Sequence, residues 1–244
     1  YVDGMEINVC EQVLKVDYLI NMPVLKGHCQ TKITCALKNL KGCIPNSEKR
    51  RFHSMGLHKP IAYLNKAVKS HLIIVDGLMG DLDFEEGGNP VQMDRIIVGF
   101  DPVLIDSYVA DLMGYDAEEI THIKIAKEIG VGNCLASSNQ IYELNEDFNT
   151  RKIPRSRAVE RLSKYVEERD ACSACYGSLI HALARLDEQG LLRRLKGKIA
   201  IGQGFKHTEG KGIGVGICTR GFEQNVPGCP PTAKAIVEYL KNNI

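Results

Sequence analysis

Four cysteines in the last third of the chain have a spacing that suits a metal centre. Cys172 and Cys175 form a C-x-x-C at the start of a predicted helix, whose first turn brings both thiolates to the same side. Cys218 follows the glycine-rich segment GIGVGIC, and Cys229 lies in VPGCPP. The two prolines after Cys229 deny the backbone regular hydrogen bonding, while the glycines let backbone amides come close to bound sulfur. The pattern predicts that these four cysteines bind one metal centre.

Two other uses of these cysteines remain open. Zinc is also held by thiolates from C-x-x-C motifs. A redox-active dithiol would use Cys172 and Cys175 alone, but such a motif usually follows a strand within a βαβ unit and would leave Cys218 and Cys229 unexplained.

The cysteine pattern also carries a resemblance. C-x-x-C, then Gly-x-Cys, then PGCPP before an alanine-rich helix resembles the cluster-binding pattern of the small subunit of nickel–iron hydrogenases and of its relative in respiratory complex I, over about Ala171 to Leu240. The resemblance implies that Cys172, Cys175, Cys218 and Cys229 bind one 4Fe-4S cluster used for electron transfer.

A second candidate site follows the first predicted strand, Val16 to Leu25. Lys26, His28, Lys38 and Asn39 combine positive charge, a group that titrates near neutrality and an amide, on a loop and helix where α/β proteins commonly bind ligands. We expect a small anionic ligand there, with Lys26 and His28 as candidate catalytic residues. The alternative is that the lysines are solvated surface residues and that His28 is hydrogen-bonded within its loop.

Acidic residues from Asp76 onward offer further ligands. Asp76, Asp101 and Asp106 are candidate substrate-binding residues, but Asp before Gly or Pro is also an ordinary turn or N-cap residue. The loop residues Asp81, Asp83, Glu85 and Glu86 have oxygen atoms for a divalent ion but lack the spacing of a calcium-binding EF-hand loop.

Most of the remaining cysteines lie close in sequence to Lys26, His28 and Lys38. Cys10, Cys29, Cys35 and Cys43 would suffice for a second cluster, although their spacings match no compact ferredoxin pattern, and the alternative is that they are small buried hydrophobic residues. We expect Cys134 to be structural.

Three segments resemble the prokaryotic family known as domain of unknown function 362, whose members are often described as iron–sulfur proteins. The segments are INMPVLKGHCQTKITCALKNLKGCIP, DGLMGDLDFEEGGNP and VGFDPVLIDSYVADLMG, within about Asp17 to Gly132. The resemblance implies no particular reaction.

Strand and helix patterns alternate along the chain, which predicts an α/β fold with a smaller C-terminal α/β unit that binds the cluster. We expect one domain over 1–136 with a truncated N-terminus, a linker over 137–157 and an iron–sulfur unit over 158–244. In the second unit we expect one long helical pattern from Ala158 through Leu195, a strand from Lys198 to Gly202 and a final helix from Thr232 to Lys241. In the first, we expect Asp76 to Pro90 to be a loop.

Composition narrows the class of protein. The chain has 244 residues, of which 44% are hydrophobic and 25% charged. It has nine cysteines, and its first residues do not have the pattern of a signal peptide, so we do not expect a secreted disulfide framework. No apolar run is long enough to span a membrane. The few basic runs lack interleaved aromatic residues, which argues against nucleic-acid binding. We expect a cytoplasmic protein.

These features predict an iron–sulfur oxidoreductase or electron-transfer protein that exchanges electrons with a donor or acceptor protein and couples this to a small anionic substrate. The alternative is a non-redox binding or maturation protein in which a cluster, or zinc, is structural.

Overall fold

A computed structural model of the chain describes residues 1–85, 87, 89–137, 140–145 and 156–244. It divides into two compact units, one comprising Tyr1–Phe52 and Gly56–Arg155 and the other His53–Met55 and Ser156–Ile244. Both contain helices and strands, so the predicted α/β class is confirmed. Glu86 and most of the predicted linker 137–157 lie outside the described residues.

The first unit contains five strands and six helices within the described residues. The strands are β1 (Ile20–Asn21), β2 (Lys26–His28), β3 (Lys32–Thr34), β4 (Leu72–Asp81) and β5 (Pro90–Gly99). The helices are α1 (Glu11–Lys15), α2 (Ala36–Asn39), α3 (Asn46–Ser54), α4 (His58–Ala67), α5 (Pro102–Leu112) and α6 (Thr121–Glu128).

Two sheets organise these strands. β1 pairs parallel to β4, which pairs antiparallel with β5, while β2 and β3 form a separate hairpin. The expected loop from Asp76 to Pro90 was wrong at its start, because β4 continues to Asp81, whereas β5 begins at Pro90, where the loop was expected to end. The turn-forming residues that suggested a loop are accommodated by an irregularity between Gly77 and Met79, where the pairing register shifts.

Helices α2, α4, α5 and α6 bury apolar side chains together with one face of the larger sheet. Leu37, Leu64, Ile73, Val109 and Ile123 are fully buried members of this core. Burying such aliphatic side chains contributes about 1.5–3 kcal/mol each, so the core holds the helix that carries Lys38 firmly in place.

The second unit is built on a four-stranded sheet. Its strands β6 (Val166–Glu168), β7 (Ile199–Ile201), β8 (Gly210–Val215) and β9 (Phe222–Val226) are all parallel and lie in that order. Its helices are α7 (Ala158–Leu162), α8 (Ser173–Glu188) and α9 (Ala233–Asn243). The carboxyl ends of all four strands therefore lie along one edge of the sheet.

The single long helical pattern expected from Ala158 through Leu195 was wrong. The segment forms α7, then β6, then α8. Val166 is buried in β6 next to Ile199 of β7, so strand pairing overrides the local helical periodicity there. The predicted strand and final helix are present as β7 and α9.

Within the part of the chain that the structure describes, no helix is both long enough and apolar enough to cross a membrane.

Candidate functional sites

Each of the four C-terminal cysteines lies just after a strand of the parallel sheet. Cys172 caps the N-terminus of α8 and Cys175 lies in its first turn, both shortly after β6 ends at Glu168. Cys218 lies in a 3-10 turn after β8, and Cys229 lies three residues after β9 ends. Because parallel strands end at the same edge, the sheet brings all four segments to one side.

Backbone contacts join these segments. Ile217 N donates to the carbonyl oxygen of Gly228 at 3.0 Å, and Gly216 N donates to that of Val226 at 2.8 Å. Gly216 has a φ of +91°, and a Cβ there would lie 3.6 Å from Gly228 O and 3.9 Å from Cys175 Sγ. Both are ordinary contact distances, so glycine is needed here for the positive φ, a backbone conformation that other residues rarely adopt.

The four thiols influence one another electrostatically. Burial, followed by the neighbouring Cys172, Cys229 and Cys218, raises the pKa of the Cys175 thiol to about 12. Burial also raises the pKa of Cys218, although the positive charge of Lys206 opposes this. Ionising all four thiols together would thus require a positively charged partner.

Sequence reasoning missed a polar residue beside the cysteines, Gln203. It follows β7, and its Nε2 donates to Cys172 Sγ at 3.7 Å, while Lys206 Nζ donates to Gln203 Oε1 at 3.1 Å. Its position at the carboxyl end of the strand between β6 and β8 is the signal that would have identified it.

In the first unit, Lys26, His28 and Lys38 converge on Glu85. Lys38 Nζ lies 2.6 Å from Glu85 Oε1, His28 Nε2 lies 2.9 Å from Glu85 Oε2, and Lys26 Nζ donates to the Glu85 carbonyl oxygen at 2.9 Å. Lys38 is only 4% exposed and His28 3%. All three predicted basic residues therefore contact Glu85, two at its carboxylate and one at its backbone carbonyl.

Glycine and aspartate backbone contacts bring Glu85 to this place. A Cβ on Gly27 would lie 2.1 Å from Leu82 O, so only glycine lets β2 press against the segment that follows β4. Asp81, which is buried, accepts hydrogen bonds from the backbone amides of Asp83, Phe84 and Asn89. The Asp81 carboxylate thus shapes the turn that presents Glu85.

Backbone amides determine the tautomer of His28. Gln30 N and Thr31 N both donate to His28 Nδ1 at 3.1 Å, so Nδ1 is an acceptor and Nε2 carries the proton. Burial, followed by the charge of Lys38, lowers the pKa of His28 to about 4. Although burial disfavours ionised Glu85, its contacts with His28 and Lys38 keep the pKa of Glu85 well below its usual range. At neutral pH we assign the positive charge to Lys38 and treat His28 as neutral.

The other predicted ligands of this unit make local hydrogen bonds. Asn39 Nδ2 donates to Asn21 Oδ1 at 2.8 Å, and exposed Asp76 accepts from Leu78 N at 3.1 Å. Asp101 caps α5 by accepting from the backbone amides of Val103 and Leu104.

Asp106 is completely buried beneath α2. It accepts from Ala36 N at 2.7 Å and from Leu37 N at 3.1 Å, the first residues of that helix. Burial raises the pKa of Asp106 to about 7, although these two hydrogen bonds oppose the shift. Asp106 therefore orients the helix that carries Lys38.

The cysteines of the first unit lie in different surroundings. Cys35 is buried, and burial raises the pKa of its thiol well above the usual value. Cys10 N donates to the carbonyl oxygen of Cys43 at 2.8 Å. Among all described residues, no three His, Cys, Asp or Glu side chains are arranged to hold a single metal ion.

Comparisons with known proteins give one relative and one family. Over 136 residues, which are 51% of this chain and 41% of the relative, the chain is 26% identical to the thylakoid-associated protein sll1697 of Synechocystis sp. (strain ATCC 27184 / PCC 6803 / Kazusa). The chain thus spans less than half the length of that relative. No solved structure matches the chain. Residues 3–111, which include Lys26, His28, Lys38 and Glu85, match the family described as Domain of unknown function (DUF362).

Proposed function

We propose that this protein holds a 4Fe-4S cluster on Cys172, Cys175, Cys218 and Cys229 and uses it to exchange electrons with a partner protein, in a redox reaction of a small anionic substrate that binds in the first unit. The observation that supports the cluster most is topological. Cysteines that are up to 57 positions apart in the sequence all follow strands that end at one edge of a parallel sheet.

The residues at this edge suit an iron–sulfur cluster. The buried thiol of Cys175 and its three cysteine neighbours resist ionisation together, and iron would supply the positive charge that stabilises them as thiolates. The backbone of Gly216 lies beside Cys175 Sγ, and Gln203 offers a side-chain N–H to Cys172 Sγ. Hydrogen bonds to cluster sulfurs and open backbone around them are common to such sites.

Zinc is the alternative occupant, because thiolates that include a C-x-x-C pair hold it as well. Inorganic sulfide distinguishes the two, since a 4Fe-4S cluster contains sulfide and a zinc site does not.

A cluster with four cysteine ligands supplies one-electron transfer. Substrate chemistry would then take place at the site around Lys38, where Lys38 offers a positive charge and His28 Nε2 offers a proton to a bound anion. Lys26 and His28 remain our candidates for catalytic residues.

Metal analysis of variants tests the cluster. We expect protein purified without oxygen to be brown, and Cys229→Ala to lose most of its iron and sulfide because one ligand is missing. Cys134→Ala, which changes a cysteine of the first unit, is the matched control and should retain both. Colourless protein with stoichiometric zinc would contradict the proposal.

A redox titration distinguishes electron transfer from a structural role. A cluster that is reduced and reoxidised without loss of iron supports an oxidoreductase. A cluster that falls apart on reduction supports the alternative, a binding or maturation protein whose cluster stabilises the second unit.

A further inference from the structure

Two histidines of the first unit have buried ring nitrogens that lack the partners that buried polar atoms normally have. His122, in the first turn of α6, is fully buried, and neither of its ring nitrogens has a hydrogen-bond partner among the described residues. The same holds for Nδ1 of His58, the first residue of α4. The two rings stack with their centroids 5.7 Å apart. Buried polar atoms without partners often mark the position of a bound molecule.

These histidines belong to the same neighbourhood as Lys38 and His28. Burial lowers the pKa of His122 well below its usual value, and His58, Lys38 and His28 add to the shift. His122 therefore lies within electrostatic range of His58, Lys38 and His28, which come from α4, α2 and β2. A neutral imidazole has one N–H donor, so each histidine can donate to an acceptor there.

The Glu85 carboxylate contacts only two of these four side chains. Its two oxygens divide between Lys38 and His28, at 2.6 Å and 2.9 Å. The contact at His28 Nε2 is close but poorly aligned for a hydrogen bond. The Glu85 side chain also remains 30% exposed, so it reaches this region from the protein surface.

We infer that the region is a binding site for a small carboxylate, which takes the place of the Glu85 side chain between Lys38 and His28 and accepts further hydrogen bonds from His122 and His58. This inference rests on the proposed anion site. It adds the chemical class of the ligand and an inner wall, which consists of His122 and His58. The carboxylate of Glu85 is a model for the ligand head, because its two oxygens already lie against one ammonium and one imidazole. The protein's own side chain then competes with the ligand.

Chemical rescue of Glu85→Ala tests the inference. Removing the carboxylate opens the site, and acetate at about 100 mM should raise the melting temperature of this variant by about 4 °C relative to the same concentration of chloride. The wild-type protein should respond much less, because Glu85 occupies the site. Glu128→Ala, which removes an exposed carboxylate of α6, is the matched control and should show no rescue.

The inner wall is tested by adding His122→Phe to Glu85→Ala. Phenylalanine fills a similar volume without donating hydrogen bonds, so the acetate affinity should fall about tenfold. Should Glu85→Ala fail to fold, Glu85→Gln is titrated instead, with the ring nitrogen NMR signals of His28 and His122 as the measure of acetate binding. Unshifted signals at both histidines would overturn the inference.

Other results separate this inference from the proposed cluster. Rescue by inorganic phosphate but not by acetate would overturn the carboxylate class, and unchanged rescue with His122→Phe would overturn the inner wall. The same titration is repeated in the Cys229→Ala background. If this variant loses its iron but acetate still stabilises it, the binding site is supported even though the cluster is absent. If acetate does not stabilise a Glu85→Ala protein that retains its iron, this inference is contradicted and the proposed cluster is not.

Discussion

Lys38 Nζ and Glu85 Oε1 lie 2.6 Å apart, although 47 positions separate the two residues in the sequence. Lys38 is almost completely buried, and burial lowers its pKa while the charge of Glu85 opposes that shift. The ammonium group therefore depends on this carboxylate, or on an anion that replaces it, to remain charged in the interior.

We expect Glu85→Ala to lower the free energy of unfolding by about 2–4 kcal/mol, because it leaves the buried Lys38 charge without its partner. Lys38→Met combined with Glu85→Leu should restore most of the loss, since apolar residues often replace a buried ion pair without cost. Urea unfolding in buffers free of carboxylates measures both. If the double variant is no more stable than Glu85→Ala, the loss of stability does not come from the unpaired charge of Lys38.

Acid should destabilise the protein through His28. Its pKa of about 4 in the folded chain lies below the ordinary value of 6.5, so between these pH values the unfolded chain binds more protons. Stability is therefore lost as the pH falls from 6.5 to 4, by up to about 3 kcal/mol from this group alone. His28→Gln should reduce the slope of stability against pH in urea titrations, because it removes this group. Equal slopes in the wild-type protein and the variant would contradict the assignment of His28 as neutral.

Asp106→Ala should destabilise the first unit by about 2 kcal/mol or more, because the buried amides of Ala36 and Leu37 lose their acceptor. Asp106→Asn retains one side-chain oxygen and should cost less. Comparing their unfolding free energies separates loss of hydrogen bonds from loss of charge. If Asn costs as much as Ala, the carboxylate charge is the important property.

The glycine beside Cys175 should be important for loading of the cluster. Gly216→Ala strains the backbone between Cys175 and Cys218, because Gly216 has a φ of +91°, and we expect the iron content to fall substantially. Gly212→Ala is a matched control, because Gly212 also has a positive φ, +83°, but lies further from the cysteines in the sequence. Equal iron loss in both variants would show that backbone strain anywhere in this segment suffices and that the position beside Cys175 is not special.

Gln203 should tune the reduction potential of the cluster. Its hydrogen bond to Cys172 Sγ would stabilise the more negative, reduced state, so Gln203→Leu should lower the potential on the order of 20–60 mV, the equivalent of one net hydrogen bond for one electron. A spectroscopic redox titration measures the shift. Lys211→Gln, on β8, serves as a control for a change of surface charge. An unchanged potential in Gln203→Leu would show that Gln203 does not interact with the cluster.

Local patterns predicted much of the fold but few of its long-range contacts. The helix at Pro102 was predictable because Asp101 and Pro102 are an N-cap and a first-turn residue. The continuation of β4 to Asp81 was not, since it depends on pairing with β5 and not on the strand propensity of its own residues.

The same distinction applies to the candidate sites. The cysteine motifs and the Lys26, His28 and Lys38 group are visible in the sequence because spacing within short segments defines them. Glu85 was considered only as a ligand for a divalent ion, since its contact with Lys38 depends on how closely Gly27 lets β2 approach the turn after β4. His122 gave no sequence signal, because its burial results from packing of α6 against α4.

The most direct test of the central claim is EPR spectroscopy of the anaerobically purified protein before and after reduction with dithionite, together with iron and sulfide analysis. The account predicts about four iron and four sulfide atoms per chain. The oxidised 4Fe-4S cluster should give no EPR signal, and the cluster reduced by one electron should give a signal that is absent in Cys229→Ala. Protein with no inorganic sulfide and one zinc ion per chain, bound by the same cysteines, would contradict it.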